Sequence, residues 1–390
     1  MKKGNILLLT IVHPDFLPPV YAVAQTLRDE GYDIHILTFD SYVKTDAVLG
    51  ENISVETLGN HHNVSFIKRL RLRRKLILRA KEIVKGQTAA VITFCPLSFL
   101  YGLKIKSNFP VIYHALEMSD FILGNFSRSP LSSLNNLRAL NNVHKADLVV
   151  TPTLQRSAWL AGRCKMNTLP VTVINSAYIT DNSEHSSFEK VAHLLPQHFS
   201  DKTIILYTGA VIDRYCGIEL VAAFCEINDP QTVLVMTGIK ANAYCDEIRS
   251  IVTKTNKTDV VKLLPFVTRE EMLSLQHISH IGICMTRAWE HSLETFLVAP
   301  NKVGEYIAKG LFIVANHSDF LAPLEDKGIA VLASSRETVD IKKAFVQAVK
   351  EVTNSDKRKQ VLEFAKKTYC MQQQLKPVIQ FLEKKNTKVH

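Results

Sequence analysis

No uninterrupted apolar stretch in the 390 residues approaches the ~20 that a bilayer-crossing helix needs. The longest, around Ala89 to Leu100, has Thr93 and Ser98 inside it. A membrane-spanning chain is excluded by that reading; one lying on a membrane surface is not. The seven cysteines are odd in number and no two stand at CxxC spacing. This argues against a disulfide framework and for a reduced, cytoplasmic chain. Met1-Lys2-Lys3-Gly4 has the basic start of a signal peptide, but the apolar run from Asn5 to Val12 is short, and His13-Pro14-Asp15 follows without a cleavage pattern. It reads as a first buried strand. Neither GxGxxG nor GxxxxGK[ST] occurs, which removes most support for dehydrogenase and NTPase chemistry. GxSxG, HExxH and DxD are missing as well, leaving hydrolase, zincin and Asp-paired metal readings without an anchor.

What is present is the balance of an ordinary globular chain, 46% apolar and 22% charged. The length suggests two to three domains at about 100–200 residues each. The net charge of +10 is uneven: residues 1–200 carry 22 basic and 15 acidic side chains, against 25 and 22 in 201–390. The first half therefore holds +7 of the +10, as expected for a half that meets an anionic partner.

Short apolar runs alternate with helical-period segments, the signature of βα units around parallel sheets. Strands are predicted near 5–12, 33–39, 53–57, 89–94, 110–114, 147–152 and 171–175, with helices over 19–30, 66–85, 131–144 and 154–163. The pattern restarts at Thr203-Ile204-Ile205-Leu206-Tyr207-Thr208-Gly209, continues with a helix from Gly217, and gives strands at 232–237, 259–263, 280–284, 311–315 and 329–332. The polar stretch Asp181 to Ser187 has no period and reads as a linker. The expected organisation is an N-terminal Rossmann-like domain over 1–180, a linker over 181–202, and a second Rossmann-like domain over 203–370. A C-terminal helix and tail over 371–390 would cross back to the first module.

Two doubly wound modules place strand carboxyl ends and helix N-termini around a shared cleft, where ligands of such sheets bind. Helix N-termini suit a diphosphate, so a nucleotide or nucleotide-sugar is the expected ligand. The most informative segment is Ala299-Pro300-Asn301-Lys302-Val303-Gly304-Glu305-Tyr306-Ile307-Ala308-Lys309-Gly310, followed by the apolar run Leu311 to Ala315. Pro300 suits a first helical turn, Gly310 a helix end, and Leu311 to Ala315 a buried strand. Lys302 and Glu305 would then stand in the first two turns of a helix that points its N-terminus at the ligand.

In this segment the chain resembles the retaining GT-B glycosyltransferases of family group four, in which PNKxxEYxxxG is a familiar form of the nucleotide-sugar site. The resemblance extends to Tyr207-Thr208-Gly209, to Leu264-Pro265-Phe266-Val267 before Arg269-Glu270-Glu271-Met272-Leu273, and to Ala146-Asp147-Leu148-Val149-Val150-Thr151-Pro152. It implies an α/β fold of the GT-B type and a nucleoside diphosphate sugar as donor substrate. Further implications are transfer to a hydroxyl acceptor with retention, and no metal. Glu305 would bind ribose, the turn from Ala299 through Pro300 and Asn301 to Lys302 would hold the diphosphate, and Gly209 would permit close approach of the donor. Relatives often have an Arg after that glycine and a Lys before the glycine of the next helix; here Ala210 and Cys216 stand there, so that either Arg214 substitutes as the cation or the donor charge is held differently. The first glutamate of the family's pair falls on Leu297. His13-Pro14-Asp15 replaces a frequent glycine pair after the first strand, and His13 reads equally as a site residue or a polar loop residue. His114-Ala115-Leu116-Glu117 is similar to the loop in which a His or His-Glu pair faces the sugar, placing His114 and Glu117 at the acceptor.

Residues 67–85 contain nine Lys/Arg and one acid. Apolar residues at Phe66, Leu70, Leu72, Leu76, Ile77, Ala80, Ile83 and Val84 fit one helical face, leaving the cations opposite or flanking it. Such a helix can dock on an anionic membrane beside a lipid-linked acceptor, bind an anionic polymer, or simply be solvated. Nucleic acid is disfavoured because no aromatic residues are interleaved for stacking. The sequence reading is a transferase building a lipid-linked or surface glycan, cytoplasmic and peripheral on the membrane. Its alternatives are a non-catalytic transferase-like scaffold or glycan-binding subunit, and a nucleotide-sugar epimerase.

Overall fold

A computed structural model describes residues 3–40, 50–60, 64–116, 130–180, 188–286 and 299–386. The chain divides into two compact units, one running up to Tyr178 and including the chain from Met371 onward, the other Ile179–Cys370.

The first unit is built on seven parallel strands: β1 (Asn5–Leu9), β2 (Asp33–Thr38), β3 (Ile53–Thr57), β4 (Thr88–Thr93), β5 (Val111–His114), β6 (Leu148–Thr151) and β7 (Val171–Thr172). Their order across the sheet is β3-β2-β1-β4-β5-β6-β7. Helices α1 (Pro19–Asp29), α2 (Phe66–Ile83), α3 (Pro96–Ile105), α4 (Pro130–Asn142) and α5 (Leu154–Cys164) connect them. The central strands β1, β4, β5 and β6 read as largely apolar runs because both faces are covered, whereas the edge strand β3 is largely exposed. Ile6 and Leu8 of β1 enter one core with Val20, Val23 and Leu27 of α1, while Leu7 and Leu9 enter the other with Leu76 of α2 and Phe99 of α3.

The second unit has six parallel strands, β8 (Thr203–Tyr207), β9 (Thr232–Met236), β10 (Val261–Leu263), β11 (Ile281–Cys284), β12 (Phe312–Asn316) and β13 (Ala330–Ala333), in the order β10-β9-β8-β11-β12-β13. Its helices are α6 (Gly217–Cys225), α7 (Ala243–Lys254), α8 (Arg269–Ile278), α9 (Asn301–Ala308), α10 (Ala322–Asp326), α11 (Thr338–Val352) and α12 (Lys357–Lys367). Both sheets are doubly wound. In the second, the strand order reverses at β8, which pairs with β9 on one side and β11 on the other. The carboxyl end of β8 is therefore the switch point where such sheets take ligands.

The last helices, α13 (Met371–Gln374) and α14 (Lys376–Asn386), return to the first unit. Met371, Leu375, Val378, Ile379 and Leu382 join the core around Ile6 and Leu8. Lys3 Nζ meets Glu383 Oε1 at 3.0 Å. Burying a large apolar side chain is worth about 1.5–3 kcal/mol, so this return is held by packing rather than by its surface ion pair.

Helix α2 has the expected apolar face, but the core covers only part of it. Only Leu76 and Ala80 are fully buried, whereas Phe66 is 56%, Leu70 47% and Leu78 51% exposed. The C-terminal part of the helix packs on the core, through Leu72, Leu76, Ile77, Ala80 and Ile83. Near its N-terminus, Phe66, Ile67 and Leu70 remain exposed apolar residues.

Candidate functional site

The site grows from the end of β8. Tyr207 is the last residue of the strand, and the next, Thr208, has its backbone N–H and its hydroxyl both 2.9 Å from the Tyr306 hydroxyl on α9. Gly209 then adopts φ +109°, a conformation that costs any other residue strain. After β9, Gly238 does the same at φ +89°, and a side-chain carbon there would run into the Gly209 carbonyl. Two glycines thus let two adjacent strand-end loops pack against each other. The Gly209 N–H is 3.4 Å from Thr237 Oγ1. A carbon added to Gly209 would meet Lys302 Nζ at 3.9 Å, so the ammonium group stands directly at this bare stretch of backbone.

Lys302 is the second residue of α9. Pro300 precedes the helix as its N-cap, one position earlier than a first-turn placement, and Asn301 is the first helical residue. At the other end Gly310 takes φ +78°, its N–H bonds to Ile307 O, and the Leu311 N–H bonds to Tyr306 O, a Schellman closure. The half-buried Lys302 ammonium lies 4.1 Å from the Tyr207 ring centroid and 5.3 Å from that of Tyr215. Aromatic faces stabilise a cation without neutralising it. No carboxylate among the described residues forms an ion pair with Lys302; burial pulls its pKa below 10.5, opposed by Cys284 and Glu305. The neighbouring Cys284 thiol is pushed up to about 11 by burial and stays protonated.

One turn along α9, Glu305 is buried and ion-paired through Oε1 to Arg269 Nη2. Arg269 opens α8, whose N-terminus is closed by a Thr268–Glu271 capping box. Tyr306, next to Glu305, fits only because β11 has Gly282, where a side-chain carbon would collide with the tyrosine ring. Its hydroxyl holds Thr208, so α9 and the β8 loop are locked in register.

Of the residues singled out from the sequence, Gly209, Lys302 and Glu305 thus come together at the β8 switch point, with Pro300 and Asn301 at the start of the same helix. Arg214 is exposed on a short 3-10 turn, Asp213–Tyr215. Cys216 is fully buried at φ +56°, and the Ala210 carbonyl accepts a hydrogen bond from Tyr207 Oη at 2.7 Å. The Cys216 side chain is thus part of the core. Leu297 and Glu117 lie outside the described residues.

In the first unit, His114 ends β5 and is 2% exposed, with its ring 5.5 Å from that of Phe94. Its Nε2 is buried without a hydrogen-bond partner among the described residues. Burial drives its pKa down to about 3, so the imidazole is neutral at physiological pH. Because the folded value lies below 6.5, the unfolded chain takes up the proton first: stability is complete above 6.5 and is lost as pH falls toward 3. His114→Asn is expected to flatten the fall in Tm between pH 7 and pH 5; an unchanged fall in a scan at both pH values would contradict the assignment. His13 Nδ1 lies 3.0 Å from Asp15 Oδ2, and Tyr21 Oη donates to Asp15 Oδ1 at 2.9 Å. His13 is thereby held in a local network.

The same unit carries a groove of about 1300 Å³ between α2, α3 and α4. Phe66, Leu70, Ile77, Leu97, Leu100 and Leu103 give it an apolar lining. Arg73, Arg74, Lys104, Lys106, Arg138 and Lys145 line it too, and no carboxylate does among the described residues. Lys106 meets Asp147 at 2.7 Å, and Arg79 of α2 meets Glu56 at 2.7 Å and Glu82 at 2.9 Å.

Sequence reasoning passed over Arg269, Tyr306 and Gly238. Arg269 sat in a permissive string, and its partner Glu305 is distant in sequence. The glycines did carry a signal, since a lone Gly in or just after a strand marks close approach of another group.

No protein-family model matches the chain, and no curated sequence matches it. Solved structures do. Sucrose-phosphate synthase from Thermosynechococcus elongatus superposes with a TM-score of 0.70 at 16% identity, covering 97% of this chain and 99% of that one. Anabaena HepE in complex with UDP and glucose gives 0.68 at 15%, covering 97% and 99%. WaaG, a glycosyltransferase involved in lipopolysaccharide biosynthesis, gives 0.60 at 12%, covering 96% and 99%. The fold is that of the GT-B glycosyltransferases, two parallel-sheet Rossmann-like units.

Proposed function

We propose that the chain is a retaining glycosyltransferase that takes a sugar from a nucleoside diphosphate sugar and joins it to a hydroxyl of a lipid-linked or surface glycan, without a metal. The observation that carries this reading is the Lys302 ammonium, half-buried over Tyr207 and Tyr215, with no carboxylate partner among the described residues and set against the bare backbone of Gly209 at the β8 switch point. Those are the requirements of a diphosphate: close backbone approach and a fixed positive charge. Glu305 beside it would take the ribose, with Pro300 and Asn301 presenting the helix start to the phosphates and Arg214 as a second, outer cation. Lys302 would stabilise the charge that develops on the diphosphate as the sugar–phosphate bond breaks. HepE, of the same fold, has been captured with UDP and glucose, which supports a nucleotide-sugar donor. The first unit would supply the acceptor side, where neutral His114 offers a hydrogen bond to a sugar hydroxyl and Glu117 follows it.

Thermal unfolding with UDP, GDP, ADP and CMP, each with and without Mg²⁺, tests the reading, since a ligand that binds only the native state raises Tm. A rise with one nucleoside diphosphate that Mg²⁺ does not change is expected. No rise with any of them on folded protein would favour the non-catalytic scaffold.

The groove in the first unit supports a cytoplasmic protein docked on the membrane face, its cations on lipid phosphates at about 1 kcal/mol each and its apolar residues at the acyl boundary. Co-sedimentation should be seen with vesicles containing phosphatidylglycerol and not with phosphatidylcholine alone. It should fall on raising salt and on changing Arg74, Lys104 and Arg138 to Gln. Equal binding to both vesicles would contradict the docking.

A further inference from the structure

We infer that Arg269 is a specificity-determining residue of the nucleotide site, reading the ribose diol together with Glu305; this rests on the donor reading above. Arg269 Nη2 is ion-paired with Glu305 Oε1, and the side chains are 17% and 9% exposed. The second terminal nitrogen, Arg269 Nη1, is buried and has no hydrogen-bond partner among the described residues; Glu305 Oε1 likewise lacks a well-directed hydrogen bond. The pair therefore has one unused donor, Arg269 Nη1, beside a carboxylate that already meets Arg269 Nη2 and still has lone pairs free to accept. Leaving a buried donor unused is costly in a folded protein, and such groups are usually completed by a ligand or by water.

Vicinal hydroxyls complete them. A hydroxyl both donates and accepts, so one can donate its proton to the Glu305 carboxylate while the other accepts from Arg269 Nη1. A phosphate fits this place poorly, because Glu305 would repel it, and a phosphate already has, one turn away on α9, the ammonium of Lys302, which has no carboxylate partner among the described residues. The base has a surface of its own: Phe266, in the loop just before α8, is 51% exposed, with Lys240 Nζ 5.3 Å from its ring centroid. The order along the site is then base at Phe266, ribose at Arg269 and Glu305, diphosphate at Lys302 and Gly209. Arg269 is not needed for the transfer step itself. Its role is to make both hydroxyls count, so that deoxynucleotides are rejected.

The test measures Kd for whichever of UDP, GDP and ADP binds, and for its 2′-deoxy and 3′-deoxy forms, on wild type, Arg269→Lys and Arg269→Gln. Wild type should bind at least one deoxy form ~10–100-fold more weakly, the range expected for hydrogen bonds to charged groups. Arg269→Gln should weaken the ribonucleotide by ~10-fold or more and leave that deoxy form within ~3-fold, collapsing the ratio toward one. Arg269→Lys, which keeps the charge but loses the fork, should retain part of the ratio and supplies the comparison if the Gln variant does not fold. Equal binding of ribo and deoxy forms by wild type would overturn the inference, as would variants that weaken both forms alike. Folded wild type that binds no nucleotide at all would instead overturn the donor reading, and the two failures are distinct.

Discussion

Glu305→Ala is expected to lower kcat/KM for the donor by ~10³-fold or more and to destabilise the protein. The loss of activity follows from removing the ribose acceptor at the centre of the site. The loss of stability has a separate cause: Glu305 is 8% exposed and paired with Arg269, and removing one partner of a buried pair leaves the other charge uncompensated, at about 3–5 kcal/mol. Glu305→Gln keeps the shape and separates the two effects. It should recover part of the stability while leaving transfer strongly impaired, because an amide cannot balance the guanidinium or accept as a carboxylate does. Tm and donor consumption measured on both variants check this. Full activity in folded Glu305→Gln would show that the carboxylate takes no part in donor binding.

Lys302→Met is expected to have the opposite signature, a loss of ~10²–10³-fold in transfer, the scale of removing one electrostatic contact to a developing charge, with Tm unchanged or raised. The sign follows from burial. The folded-state pKa of Lys302 lies below 10.5, so the folded protein disfavours the charged form and its stability rises as pH rises through that lowered value. A neutral, apolar replacement removes the penalty. The same displacement sets the pH dependence of binding: a diphosphate prefers the protonated lysine, so affinity should fall with rising pH at values below 10.5. A functional lysine that costs the fold something is the stability–activity trade-off seen on a single side chain. A Lys302→Met protein that is both active and less stable would assign the lysine to structure instead.

Much of this was legible in the sequence because it rests on local pattern. The β-runs such as Ile6–Leu9 and Ile204–Tyr207 are buried on both faces, so their apolar composition alone marks them, and the restart at Thr203 divides the chain. The helix start at Pro300–Asn301 and its end at Gly310 are written in cap residues that act over a single turn. What could not be read depends on contacts between distant segments. Arg269 and Glu305 are joined by the placement of α8 and α9, and the Tyr306 ring finds room only at Gly282. His114 was legible as the end of a strand, but its burial inside the sheet, where neighbours rather than its own type set its charge, was not. Helix α2 shows the converse: its apolar period marked one helical face without saying what covers it, and only its C-terminal part has a core to pack on, the remaining apolar residues being left on the surface beside the basic groove.

The central claim is that a diphosphate lies across Gly209 and Lys302. Calorimetric titration in EDTA of the nucleoside diphosphate that raises Tm, and of its monophosphate, into wild type and Lys302→Met tests it most directly. The expected result is that wild type binds the diphosphate ~10-fold or more tightly than the monophosphate, as for a charged contact in a partly buried site, and that Lys302→Met removes that difference. A preference for the diphosphate that survives intact in Lys302→Met would contradict the account.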